Sequence, residues 1–292
     1  MALKEATLFG VVDKVEIAKD RVKEAYKFSQ SLGLGKLYVA FSGGKDSVAL
    51  YGVVKLASED EGIDLLDYAE FHYSVTGVDP PELVQFIKRE FPFVHRDLYT
   101  ESMWQLIVRN KVPPTRLMRY CCVALKERGG KGRFTATGVR RAESVQRSTR
   151  GAFEEIGKTK ADGRILFNDN EEDRRLMEHC IPKRQYVVNP IIDWLDEDVW
   201  QFIEEQGLPY CKLYDEGFSR LGCIGCPMGG QSHNEFEFER YPKFKDAYIR
   251  AFDRMLEARR ESGMQSSWKT GQEVFDWWIT GKKAPKEETF FD

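Results

Sequence analysis

No run of apolar residues in this chain approaches the eighteen or so needed to cross a bilayer, so no membrane-spanning helix is expected. The first twenty residues, MALKEATLFGVVDKVEIAKD, hold neither a long apolar core nor a cleavage-like site. No secretory leader is therefore expected, and the cytoplasm is the default compartment. Histidine is scarce: His72, His95, His179 and His233 form no motif and are assigned no chemistry. There is no internal repeat, and no excess of positive charge, since the net charge is -3 with 31% charged residues. The chain as a whole is not a polycation. Disorder is not expected either, because 292 residues at 42% hydrophobic can bury a sizeable core. In a reducing compartment the six cysteines read as ligands, catalysts or core residues rather than disulfides.

What is present begins with VAFSGGKDSVAL, residues 39–50. The apolar, strand-forming KLYVAF precedes it and the helix-compatible VALYGVVKLA follows it. Strand, glycine turn, helix is a geometry in which backbone N–H groups and the helix dipole converge on an anion such as phosphate. Gly43 and Gly44 let the backbone bend and approach a ligand, Ser42 and Ser47 add hydroxyls, and Lys45 adds a cation. Asp46 is out of place in an anion nest unless Mg2+ accompanies the phosphates. The spacing fails the GxxxxGK[ST] loop and resembles instead the SGGxDS PP-loop of ATP pyrophosphatases.

The surrounding pattern predicts an α/β protein with a doubly wound, mainly parallel sheet. Residues 14–32 have helical apolar spacing (Val15, Ala18, Val22, Ala25, Tyr26), and residues 36–41, 68–75, 133–139 and 185–192 read as strands. PELVQFIKREF (81–91) reads as a crossover helix, and LDEDVWQFIEEQGLP (195–209) as a helix with an acidic first turn and Gly207 at its stop. Three divisions are expected: an N-terminal helix in 1–35, a nucleotide domain in 36–232 with a mobile polar insertion at about 151–180, and a helical, Trp-rich extension in 233–292.

Cys121 and Cys122 in RYCCVALKE and Cys223 and Cys226 in RLGCIGCPMGG provide four thiols. Four thiolates hold either a [4Fe-4S] cluster or zinc. An adjacent pair is an awkward chelate for one small tetrahedral ion and easier on two corners of a cluster, and Gly222 and Gly225 leave room for a bulky core. Cys180 beside His179 reads as incidental, and Cys211 as a buried thiol or a neighbour of the site. Residues 109–150 carry twelve Lys/Arg against Glu127 and Glu143, a local +10 that leaves -13 for the rest of the chain. Such a zone suits a nucleic-acid or other polyanionic substrate, although some of these arginines serve nucleotide phosphates.

The stretches SGGKDS, TGVDPPELVQFI, MRYCC, TGVRRAESVQRS, NPIIDWLDEDVWQFI and LPYCKLYDEGFSRLGCIGCP together resemble the phosphoadenosine phosphosulfate (PAPS) reductase family of the PP-loop superfamily. The resemblance implies an adenine nucleotide α-hydrolase-like fold. Two departures qualify it. The glycine loop is intact, whereas sulfonucleotide reductases carry a degenerate one, and no cysteine follows Cys226, so the reductases' nucleophilic tail thiol has no counterpart. Both point to a branch similar to the DndC/SspD-type proteins of DNA phosphorothioation. That likeness implies ATP and Mg2+ held by Ser42, Gly43, Gly44, Lys45, Asp46 and Ser47, with Gly138 close by and adenine near Tyr73 and Thr76. Lys45, Asp46, Arg140 and Arg141 would serve catalysis, and Cys121, Cys122, Cys223 and Cys226 the cluster. A cysteine desulfurase would donate the sulfur. Two alternatives stand beside this: an adenylylsulfate reductase that uses an external thiol, and a non-enzymatic iron–sulfur sensor that binds nucleic acid.

Overall fold

A computed structural model of the chain describes residues 3–7, 10–144, 147–156, 164–167 and 185–281. They fall into two compact units, each threaded by several segments. The first comprises Met1–Ser74, Pro81–Asp97 and Gly129–Leu221, and the second Val75–Pro80, Leu98–Arg128 and Gly222–Asp292.

The first unit opens with an antiparallel hairpin, β1 (Lys4–Thr7) and β2 (Gly10–Asp13). Its sheet contains β3 (Leu37–Ala40), β4 (Ala69–Ser74), β5 (His95–Asp97), β6 (Phe134–Ala136), β7 (Phe153–Ile156), β8 (Arg164–Phe167) and β9 (Gln185–Val188). Its helices are α1 (Lys14–Ser31), α2 (Lys45–Asp60), the short α3 (Leu65–Tyr68), α4 (Pro81–Glu90) and α7 (Asp196–Glu205). The strand order is β5-β4-β3-β6-β9-β7-β8. The first five are parallel to one another, as alternating strands and helices require. β7 is antiparallel to both β9 and β8.

Chain order decides where a ligand can bind. From β3 the chain runs outward through α2 to β4 and through α4 to β5, then returns to the other side of β3 for β6 and β9. Right-handed crossovers in opposite directions put their helices on opposite faces, which is the doubly wound arrangement. The reversal between β3 and β6 opens a crevice at the carboxyl ends of those two strands, the usual ligand position in such sheets.

The core of this unit centres on β3 and α2. Leu37, Val39, Val48, Ala49, Leu50, Val53, Val54 and Ala57 are fully buried. Phe41, Tyr51, Phe71, Phe91 and Phe93 pack their rings together beside them. α1 starts where the Asp13 carboxylate accepts from the Val15 and Glu16 N–H groups. It buries Ala18, Val22 and Ala25, as the spacing predicts, but also Lys14 and Arg21. Lys14 Nζ lies 2.8 Å from Asp198 Oδ2, and Arg21 Nη1 lies 3.0 Å from Asp193 Oδ1, so these cations are buried only as ion pairs.

Several elements had no clear mark in the sequence, among them the β1–β2 hairpin ahead of the expected N-terminal helix. β5 reads His-Arg-Asp, which has no apolar alternation. β7 and β8 fall in the polar 151–180 stretch, where Phe153 is nonetheless fully buried. Cys180 and His179 lie outside the described residues.

The second unit is helical: α5 (Met103–Asn110), α6 (Tyr120–Leu125), α8 (Gln231–Arg240), α9 (Pro242–Glu261) and α10 (Gly271–Thr280). Ser102 and Gln105 form a reciprocal capping box at the start of α5. The core gathers around Tyr248 of α9, whose ring meets Trp104 at 5.0 Å, Trp278 at 4.8 Å and Phe238 at 5.7 Å. Trp278 Nε1 donates to Pro114 O at 2.6 Å, fixing α10 against the segment before α6. Among the described residues, no helix is long and apolar enough to cross a membrane.

Gly52 tests the packing of the first unit. A Cβ there would sit 2.7 Å from side-chain atoms of Phe202 on α7 and of Leu208. Gly52→Val is expected to destabilise the fold by about 1–3 kcal/mol, seen as a lower denaturant midpoint with an unchanged slope. An unchanged midpoint would mean that α2 and α7 do not pack this closely.

Candidate functional site

The loop joining β3 to α2 lies at the carboxyl end of β3. Gly43 adopts φ +75°, and a Cβ there would meet Ile87 and Leu83 of α4 at 2.7 and 2.9 Å. Only glycine suits that position. Gly44 is the N-cap of α2 and makes no side-chain cap, which leaves the positive end of the helix dipole to a ligand. Ser47 Oγ donates to Gly44 O at 2.8 Å and lies 3.3 Å from Ser42 Oγ, so the two serines brace the turn. Gly138, just after β6, backs onto the loop, where a Cβ would stand 2.8 Å from Asp46 O. The Lys45 N–H donates to the Tyr214 hydroxyl at 2.9 Å. Small residues, a bare helix N-terminus and convergent donors make this an anion site.

Four charges meet beside it. Arg140 Nε donates to Asp46 Oδ1 at 2.6 Å, and its Nη2 to Asp196 Oδ1 at 2.5 Å. Lys45 Nζ lies 3.4 Å from Asp46 Oδ2 and 3.2 Å from Asp196 Oδ1. Arg140 is 2% exposed, and its third nitrogen reaches Trp194 O at 3.3 Å. Burial works against the Arg140 charge, but Asp46 and Asp196 outweigh it and hold its pKa above the ordinary value. Burial likewise opposes the Asp196 carboxylate, yet its hydrogen bond to Arg140 and the charge of Lys45 hold it below the ordinary range. Arg140 therefore clamps two carboxylates and orients Asp46. Arg141 directs its Nε to Arg150 O at 3.0 Å. Tyr73 is a buried residue of β4.

The second unit holds the cysteine site. Cys121, Cys122, Cys223 and Cys226 line one small cavity with Thr76, Leu125, Lys126 and Tyr248. The Cys223–Cys226 turn is tightly held. Gly225 N donates to the buried Glu237 at 2.8 Å, Ile224 N to Val78 O at 2.8 Å, and the Tyr248 hydroxyl to Ile224 O at 3.0 Å. Gly225 has φ +70°, and a Cβ there would lie 2.5 Å from the Phe238 ring. Thr76, expected beside adenine, is buried here, its hydroxyl 2.8 Å from Asp79 and 3.6 Å from Cys223 Sγ.

The thiols are electrostatically unequal. The Cys121 hydrogen bond, with Arg119 adding to it against the effect of burial, holds the Cys122 thiol below its ordinary value. Burial pushes Cys223 up to about 11 against the pull of Lys126. The Lys126 amino group, hydrogen-bonded to Cys223, is itself raised, chiefly by the charge of that thiol. Among the described residues no three His, Cys, Asp or Glu side chains already stand at the spacing of a single metal ion. Four thiols around a cavity whose turn admits only glycine at 225 are nevertheless a donor set that fits a group held by four thiolates.

The sequence expectation thus divides in two. Ser42–Ser47, Gly138 and Arg140 come together in the first unit, and the four cysteines with Thr76 in the second. Cys211 belongs to the first unit, is 2% exposed, and has its thiol pushed up by burial, as befits a core residue. The basic run is divided between the units. Arg109 pairs with Glu101, Arg133 with Glu70, Arg147 with Glu143 and Arg150 with Glu154. Asp196, Tyr214, Lys126 and Glu237 were missed. Asp196 passes in sequence for an ordinary acidic first turn, and the other three carry no local signal.

The family described as phosphoadenosine phosphosulfate reductase domain matches residues 36–228. An uncharacterised protein of Methanocaldococcus jannaschii is 26% identical over 246 residues, covering 79% of this chain and 44% of that protein. The chain spans about half the length of the M. jannaschii proteins it matches. The adenosine 5'-phosphosulfate reductase of Oceanobacillus iheyensis is 25% identical over 197 residues, 64% of this chain and 69% of that one. Among solved structures, the U34-tRNA thiolase NcsA of Methanococcus maripaludis with its [4Fe-4S] cluster aligns over 87% of this chain and 81% of that chain. The identity is 13% and the TM-score 0.40.

The charge cluster yields a pH test. Because the folded Asp196 pKa is lowered, its contribution to stability is present above the unfolded carboxylate pKa of about 3.9 and is lost as pH falls through the folded value. Asp196→Asn is therefore expected to melt lower than the parent at pH 7, with the difference shrinking below about pH 4. A difference that stays constant from pH 7 to 3 would remove Asp196 from the cluster's energetics.

Proposed function

Because the chain belongs to the phosphoadenosine phosphosulfate reductase domain family, we propose that it is an enzyme that cleaves ATP between its α- and β-phosphates and couples the cleavage to sulfur transfer. The observation that carries this reading is the intact Ser42–Ser47 loop, set on the bare N-terminus of α2 at the β3/β6 crevice. Backbone donors of the loop hold the pyrophosphate end of ATP, and Lys45 neutralises its charge. Asp46, oriented by Arg140, holds the accompanying Mg2+. An acceptor oxygen attacks the α-phosphate, pyrophosphate leaves, and the acceptor carries AMP. A sulfide or persulfide sulfur then forms a bond at the activated atom and AMP departs with the oxygen. Nothing in this exchange is oxidised or reduced when the donor is sulfide, and a persulfide donor needs a thiol to release its second sulfur.

Cys121, Cys122, Cys223 and Cys226 would hold a [4Fe-4S] cluster, which supplies iron able to bind sulfur. The chain's own contribution there is a cavity lined by half-buried thiols, with Lys126 beside Cys223 and Arg119 beside Cys122. The proposed acceptor is a nucleic acid or another polyanion, and the departures from the reductase pattern favour DNA phosphorothioation with sulfur from a cysteine desulfurase. The family description and the O. iheyensis relative favour a second reading, reduction of adenylylsulfate. It would draw on an external thiol, since Cys211 is buried with a raised pKa.

Two experiments test this. Asp46→Ala should lower AMP and pyrophosphate formation from ATP by about 100-fold or more, assayed well below the lowered melting point expected when the buried Arg140 loses one of its two carboxylates. A variant as active as the parent would refute the reading of the loop. Protein purified without oxygen should carry about four iron atoms per chain, and Cys122→Ser should lose most of them. About one zinc and no iron would replace the cluster by a zinc knuckle. Sulfite released from adenylylsulfate with a dithiol, beside no cleavage of ATP, would establish the reductase instead.

A further inference from the structure

Tyr214 lies some 170 residues from the glycine loop and belongs to none of its motifs, yet its hydroxyl sits on the loop. It accepts the Lys45 N–H at 2.9 Å, and it lies 3.4 Å from where a Gly44 Cβ would be. Lys45 is the first residue of α2, so its N–H points along the helix axis toward any anion held there. An oxygen placed 2.9 Å from that nitrogen occupies the position that a phosphate oxygen must take. Two oxygens cannot share it. The phenol stays un-ionised: burial, ahead of the opposing Lys45 hydrogen bond, holds its pKa above the ordinary value.

The residue is also mounted to move. It ends a single short turn, Lys212–Tyr214, between the buried Leu213 and the exposed Asp215. Its ring is only partly buried and stands edge-on to Trp200 of α7 at 5.0 Å. A rotation of one side chain frees the Lys45 N–H without disturbing the sheet.

We propose that Tyr214 is a stand-in for phosphate: its hydroxyl accepts the Lys45 N–H until the pyrophosphate end of the nucleotide displaces it. This rests on the reading of the loop as an ATP site. The hydroxyl competes with the ligand, so removing it strengthens binding, which is the opposite of what a ligand-contacting hydroxyl would do. One competing hydrogen bond of ordinary net strength corresponds to about three- to tenfold in affinity.

The experiment titrates the intact protein and Tyr214→Phe with inorganic pyrophosphate and separately with ATP, by calorimetry and by tryptophan emission. Tyr214→Phe keeps the ring against Trp200 and removes only the oxygen. It is expected to bind pyrophosphate about three- to tenfold more tightly. The unsubstituted protein is expected to change its emission on binding, as the ring leaves Trp200, and Trp200→Phe should abolish most of that change. Equal or weaker pyrophosphate binding by Tyr214→Phe would overturn the stand-in and leave the ATP site intact. So would an unsubstituted protein that binds pyrophosphate with no change in emission, and this result stands even if the variant folds poorly. Failure of both proteins to bind either ligand would overturn the stand-in together with the ATP reading.

Discussion

The ion pair between Arg140 and Asp46 is the constraint on which the nucleotide site depends. It joins the loop after β3 to the loop after β6, the two strands between which the sheet reverses its order. A glycine loop alone would be a flexible turn. With Arg140 buried behind it and Gly138 pressed against the Asp46 carbonyl, the first turn of α2 is held from one side and carries the Tyr214 hydroxyl on its first N–H. Arg140 also needs both of its acids. A buried guanidinium with one carboxylate removed would keep its desolvation cost and lose half of its compensation. Asp196 thus supports the loop from α7, a helix that otherwise packs on α2 through Phe202.

The cysteine site follows a different logic. Its rigidity comes from backbone hydrogen bonds to Glu237, Val78 and Tyr248 rather than from charge. The aromatic core of Tyr248, Phe238 and Trp278 sets the place of the Cys223–Cys226 turn, and Gly225 is the point at which that core touches it. The Trp-rich end of the chain is therefore the wall of the site and not an appendage to it.

Much of this was legible in the sequence because it is local. A glycine turn between an apolar strand and an apolar helix carries its own evidence, as do two cysteine pairs with glycines around one of them. The parallel sheet followed from strands alternating with helices. What was illegible is what folding brings together from afar. Asp196 looks like any acid in a first helical turn, where it would suit the dipole, and only the strand order puts it against Arg140. Tyr214 has no neighbour in sequence that marks it. The run of cations from Arg109 to Arg150 looked like one patch, but Glu70, Glu101, Glu143 and Glu154 take up several of its members. A charge run predicts composition along the chain, whereas a charged surface is a property of the folded chain. β5 was missed because it is a three-residue edge strand whose His95 and Arg96 stay exposed, and such a strand needs no apolar pattern.

The cysteines of the second unit come from opposite ends of the chain's middle, with Cys122 and Cys223 separated by 101 positions. Synthesis is vectorial. At about 5–20 residues per second, Cys121 and Cys122 leave the ribosome roughly 5–20 s before Cys223 exists to face them. The wall that shields them, Tyr248 and Trp278, arrives later still. During that interval the first pair is an exposed vicinal dithiol in a nascent chain, with Arg119 beside it to favour thiolate. The most oxidation-prone moment in the life of this site therefore precedes its completion. A mature protein with its four half-buried thiols around one cavity reports on how well the cell protected them before there was a fold to do so.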